Sequence, residues 1–265
     1  MVSDALGNFS STQPFGSSRI TLNGSSIVPR SVTAAVSMNR ALSLDAIVLG
    51  GGFDLNYYRQ LVRNTLDAPT TSEPLRRWTQ SPSFYMKISD ENGVVMDAKT
   101  LDSAENTIRR MVPEWTNGQF SVAAFERGTA LRESRVGWIN VNWSNRTVLS
   151  TNGTARCGQA NIGANPGAID LFYKANQNTG FYCRCPGVSE MGPRVVSHEL
   201  GHALGFWHAG TINDVMYPGT GDYCDATLSV REKYHAAIAY RRPVGNLDPD
   251  SDSLNTILST PMRVQ

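Results

Sequence analysis

His198 and His202 stand four residues apart in His-Glu-Leu-Gly-His, and on a helix that interval sends both imidazoles off one face, where they can bind a single cation. Glu199 lies beside them, with its carboxylate set to take a proton from a water on that cation instead of binding the cation itself. Gly205 follows three residues after His202, and a residue without a side chain lets a helix stop in a left-handed conformation. The chain can then turn and bring His208 back as a third ligand. That leaves a fourth tetrahedral position for water, as in a catalytic zinc site, where a structural site would close it with a fourth protein ligand. Three of the four histidines in the chain fall within this one stretch, which makes a chance occurrence on a core helix a poor account of it.

A site of this kind needs elements that hold it. Val195, Val196, Leu200, Ala203 and Leu204 give the histidine helix an apolar face for burial against a sheet. Upstream, Phe84 to Ile88 alternates as a strand does, and Phe120 to Phe125, Val136 to Trp143 and Ala168 to Tyr173 read as three more. Leu101, Ala104, Ile108, Met111, Val112 and Trp115 share one helical face, with Pro113 in its last turn. Downstream, Ser229-Val230-Arg231-Glu232 forms a capping box opening a helix through Tyr240. This order predicts an α+β domain built on a twisted mixed β-sheet. We place it at 75–242, after a leading segment 1–74 that holds one amphipathic helix from Phe53 to Leu66, a small hairpin turning at Asn23-Gly24 and a proline-bearing linker. Residues 243–265 form an acidic tail. Its alternating Asp248, Asp250 and Asp252 are weak candidates for Ca2+ ligands, since the loop lacks the glycine and distal glutamate of an EF-hand.

Composition narrows the partners. Lys plus Arg number 24 against 23 Asp plus Glu, without long blocks of either sign, so neither nucleic acid nor an anionic membrane is an expected partner. No apolar stretch near the start approaches a membrane span of roughly 20 residues. The opening MVSDALGNFSSTQ has neither the basic start nor the apolar centre of a signal peptide. Four cysteines, Cys157, Cys183, Cys185 and Cys224, suit two disulfides and hence an oxidising, extracellular location. A Cys183–Cys185 bridge across one residue is strained, which leaves two pairings, both joining that pair of cysteines to Cys157 on one side and Cys224 on the other.

The pattern H-E-x-x-H-x-x-G-x-x-H, matched by His198, Glu199, His202, Gly205 and His208, resembles that of the metzincin zinc metalloproteases. Asp214-Val215-Met216-Tyr217-Pro218 looks like their methionine turn, and its short distance from His208 with the Met-Tyr-Pro order is most similar to the matrixin branch. The resemblance implies a secreted endopeptidase carrying one catalytic Zn2+, with Met216 as an apolar floor beneath the imidazoles and a protein or peptide substrate. It covers 75–242, although only 198–218 is specific. The chain departs from matrixins at Ala209, where they place Ser or Thr, and in lacking histidines for a second zinc beyond His235, read as a packed or surface residue. Arg156-Cys157-Gly158 is similar to an inhibitory cysteine motif but lies inside the domain, where cleavage cannot remove it. For substrate contacts we expect Ile169 and Leu171, on a strand that is either an edge or interior, and Tyr217 and Tyr223, walling the pocket past the scissile bond. A monomer is expected. The competing readings are a catalytically silent, zinc-stabilised binding or adhesion module of the same fold, which the presence of Glu199 weighs against, and a zinc hydrolase of non-peptide amides.

Overall fold

A nine-residue helix with a buried apolar stripe stands at the start of the main unit of the protein, and a glycine turn closes it. In the computed structural model, which describes residues 16–36, 47–48, 52–149, 153, 155–173, 183–185, 190–219 and 224–249, residues Asp54–Gly245 form one compact unit. A second unit holds the flanking segments. In it, strands β1 (Gly16–Leu22) and β2 (Arg30–Val36) pair antiparallel with Leu22 opposite Arg30. The expected two-residue Asn23-Gly24 turn is therefore replaced by a connection over 23–29, because Ile27 bridges Val48 and does not continue the hairpin. Asp250, Asp252 and Tyr223 lie outside the described residues.

Helix α1 (Leu55–Arg63) opens on Asp54, whose carboxylate accepts from Tyr57 N–H, and stops at Asn64 in the left-handed conformation. It buries Tyr57, Tyr58, Leu61 and Val62 inside the Asp54–Gly245 unit. The compact unit thus takes in residues 54–74, which the sequence reading set ahead of the domain: an amphipathic helix alone cannot bury its stripe, and this one does so here. Helix α2 (Ala98–Trp115) carries Pro113 in its last turn, and α3 (Pro193–Leu204) and α4 (Val230–Tyr240) complete the helices described.

The sheet of this unit has five strands, β3 (Ser83–Lys87), β4 (Phe125–Gly128), β5 (Trp138–Ser144), β6 (Gly158–Ala160) and β7 (Gly167–Phe172), in the order β4-β3-β5-β7-β6. All neighbours are parallel except β6, which runs antiparallel along β7 and forms an edge. Ile139, Val141, Ile169 and Leu171 interleave at the centre, each almost fully buried. The strand expected at Phe120 to Phe125 begins only at Phe125. Thr116 at the end of α2 draws the preceding stretch into a turn, with its hydroxyl accepting from Phe120 N–H and donating to Val112 O.

Candidate metal centre

Helix α3 sets the geometry of the site. Its last turn ends at Gly205, with φ +113°, and a Cβ there would overlap the carbonyl oxygen of Arg76, so both the backbone conformation and the close approach demand glycine. Beyond it the chain folds back, and His208 meets the two histidines of the helix. One ring nitrogen from each of His198, His202 and His208 lies within 4.8 Å of the others.

The opposite edge of each ring explains how that convergence is fixed. His198 Nδ1 donates to Val215 O at 2.7 Å and His202 Nδ1 donates to Phe206 O at 2.8 Å, because a carbonyl oxygen can only accept. His208 Nδ1 lies 2.7 Å from Asp67 Oδ2. With Nδ1 occupied as the donor, the neutral ring presents a bare Nε2 lone pair. His202 Nε2 and His208 Nε2 lie 3.2 Å apart, close enough for a single cation to take both as ligands. Burial, with the neighbouring histidine charges, lowers the pKa of His198 to about 4 and takes that of His202 well below its ordinary value, so both rings are neutral as metal ligands must be. The donor set could hold a metal ion through His198, His202 and His208.

Glu199 sits on the same helix with its carboxyl group buried, and burial raises its pKa to about 8 against the lowering effect of Arg156, while Asp170 adds to the rise. Its Oε2 has no hydrogen-bond partner. The edge strand is glycine at the point of contact: a Cβ on Gly158 would lie 2.6 Å from Glu199 Cγ and 2.7 Å from its Oε1. Beneath the helix, a Cβ on Gly201 would lie 2.6 Å from Met216 Sδ, so the missing side chain makes room for a fully buried sulfur.

Met216 is itself anchored. Its carbonyl accepts from Ala209 N–H and its N–H donates to Glu232 Oε1, both at 2.9 Å. Glu232 also closes the expected capping box of α4, with Oε2 accepting from Ser229 N–H and its own N–H donating to Ser229 Oγ. Around these groups opens a cleft of about 670 Å³, whose lining includes residues 155–160 and Tyr217, Pro218 and Gly219.

No protein-family model matches the chain, and no curated protein sequence matches it. Among solved structures, the crystal structure of metalloproteinase-II from Bacteroides fragilis is similar, with a TM-score of 0.41 and 13% identity over 86% of this chain and 77% of that one. An overlap that loose identifies neither a family nor an activity.

The structure brings His198, His202, His208, Glu199 and Met216 together and puts Tyr217 on the cleft wall. Ile169 and Leu171 are elsewhere. They lie on β7, which is paired on both sides and buries both side chains, so neither is free to meet a substrate. The edge is β6 instead. Phe172 N–H bonds to Cys157 O and Asn161 N–H to Ala168 O, a phase that turns the backbone groups of Gly158 and Ala160 away from β7. The cysteines take one of the two pairings left open, Cys157–Cys183 and Cys185–Cys224. His235 is buried outside the triad, accepting at Nε2 from Asp54 N–H and bonded at Nδ1 to Arg231 O. Two contributors were missed from the sequence, Asp67 beside His208 and Gly158 beside Glu199; a carboxylate distant in the chain and one glycine among 23 carry no local signal.

Proposed function

We propose that the protein is a secreted zinc-dependent endopeptidase of metzincin-like build, closest to the matrixin branch, with Glu199 as the acid/base and His198, His202 and His208 as metal ligands. One observation carries the reading: three imidazoles anchored at Nδ1 converge beside a buried carboxyl group whose Oε2 is unpartnered. When bound, zinc supplies Lewis acidity, polarising a carbonyl and making water a stronger acid. Glu199 accepts the water proton at Oε2 and passes it to the leaving amine, so peptide hydrolysis needs no covalent intermediate. The raised pKa of Glu199 suits both directions of that transfer.

An extended peptide pairs with the outward N–H and C=O groups of Gly158 and Ala160, so that main-chain bonds lay the scissile carbonyl across the histidines. Tyr217 forms part of the cleft lining. Two disulfides are in keeping with export.

The test is hydrolysis of a denatured protein and a peptide library by wild type and Glu199→Ala, each with and without a zinc chelator. We expect the variant to keep its zinc and to lose activity by ~10²–10⁴-fold, the usual worth of a positioned acid/base. Turnover that survives chelation or the substitution would remove the mechanism. A wild-type protein that binds zinc and cleaves nothing would be the silent binding module.

A further inference from the structure

His198 and His202 are held in place by the helix that carries them, whereas His208 follows Gly205 in an irregular segment that runs on to the methionine turn. Something outside that segment must fix its ring. Four hydrogen bonds from the α1 region reach it in order along the chain. Leu61 O accepts from Trp207 N–H at 2.7 Å, Asp67 Oδ2 meets His208 Nδ1 at 2.7 Å, Gln60 Oε1 accepts from Gly210 N–H at 3.0 Å, and Tyr57 donates through its hydroxyl to Asp214 Oδ2 at 2.6 Å. Tyr57, Gln60 and Leu61 stand at i, i+3 and i+4, so one face of α1 lies along the segment that presents His208.

We propose that Asp67 is a positioning residue for the third metal ligand and that residues 54–67 belong to the metal centre; this rests on the zinc-site reading above. His198 and His202 donate from Nδ1 to neutral carbonyls, while His208 alone has a carboxylate there. A carboxylate on Nδ1–H fixes the tautomer and makes the opposite nitrogen a stronger donor to a metal. The ligand with the least support from its own backbone therefore receives the strongest support from outside.

The test uses the full chain, stripped of metal and titrated with zinc against a chromogenic chelator, in wild type, Asp67→Ala and Asp67→Asn. Loss of an outer partner of this kind weakens metal binding by about 10–100-fold. We expect a loss of that size for Asp67→Ala and a smaller one for Asp67→Asn, whose amide oxygen still accepts from Nδ1–H but without charge. The visible spectrum of the cobalt-substituted Ala variant should differ from that of wild type, since a ligand has changed orientation. With 43% of the Asp67 side chain exposed, the metal-free variants should melt with the wild type; if Asp67→Ala does not, the near-isosteric Asp67→Asn carries the comparison. Wild-type protein that binds no zinc would defeat the zinc-site reading itself, and the assignment of Asp67 with it. Wild type that binds zinc while both variants match its affinity and cobalt spectrum would overturn the assignment of Asp67 alone.

Discussion

Gly158→Ala tests the placement of Glu199 without touching a metal ligand. The added Cβ would stand 2.6 Å from Glu199 Cγ, 2.7 Å from Oε1 and 2.8 Å from Cδ, whereas ordinary contact begins at 3.4 Å. The carboxylate arm must therefore retreat by 3.4 minus 2.6, about 0.8 Å. A misplacement on the order of 1 Å in a reacting group can cost ~10²-fold, so we expect kcat to fall by about 10–100-fold. Gly158 does not use a positive φ, so alanine fits its backbone and β6 keeps its pairing. Its outward N–H and C=O are unchanged as well, and KM should hardly move, placing the loss in the chemical step. The assay is steady-state cleavage of a fluorogenic peptide, with zinc content and melting temperature measured on the same preparations. A variant with wild-type kcat, or one that loses activity only in proportion to lost zinc, would show that the Glu199 carboxylate at this position does not move the proton.

Gly205→Ala combines a forbidden φ with overlap on the Arg76 backbone, which cannot yield, so urea melts should show a loss on the order of 3 kcal/mol or more; a near-neutral result would mean that the end of α3 is not as described. Burial raises the Glu232 pKa from 4.5 to about 7, partly opposed by the Met216 N–H. A group raised in the folded state stabilises fully below its unfolded value and loses that contribution as pH rises through the folded one. The melting advantage of wild type over Glu232→Gln should therefore shrink between about pH 4.5 and about pH 7, and an advantage that grows over that window would contradict the burial argument. The two disulfides close spans of 26 and 39 residues that do not overlap, and the loop-entropy estimate gives about 3.5 and about 4 kcal/mol. Reduction should lower the melting temperature before it releases zinc, and simultaneous loss of metal and fold would argue against that order.

What could be read from the sequence was local. The spacing of His198, His202, Gly205 and His208 follows from one helix and its stop, and the capping box at Ser229 and Glu232 is written within four residues. What escaped was set by partners far along the chain. Asp67 and His208 are 141 residues apart, and nothing around Asp67 distinguishes it from a helix-closing turn. β6 is Gly-Gln-Ala, with no alternation and no β-branched residue, and is a strand only because β7 pairs with it. The alternation of β7 marked a strand correctly but could not say whether it was an edge, since both cases place buried residues at every second position. Helix α1 was visible as amphipathic; the surface its stripe would cover was not.

Each imidazole is oriented by a different part of the fold. His202 uses the carbonyl of Phe206 just past its own helix; His198 uses Val215, whose neighbour Met216 is tied to Glu232 of α4; His208 uses Asp67 from the α1 region. The rings are thus aimed by bonds on their outer edges, with none of those bonds depending on a metal. That preorganisation has a cost in the protein alone, since Glu199 buries an oxygen with no partner. Water or substrate beside Glu199 removes that penalty. Because the unfolded chain has no such convergence, a cation held by these histidines would bind the folded state preferentially and its binding energy would add to stability. The melting temperature should accordingly rise with free zinc in wild type and rise less in His208→Ala, where two of the three rings remain. An equal rise in both would mean that the stabilising ion sits somewhere other than at these histidines.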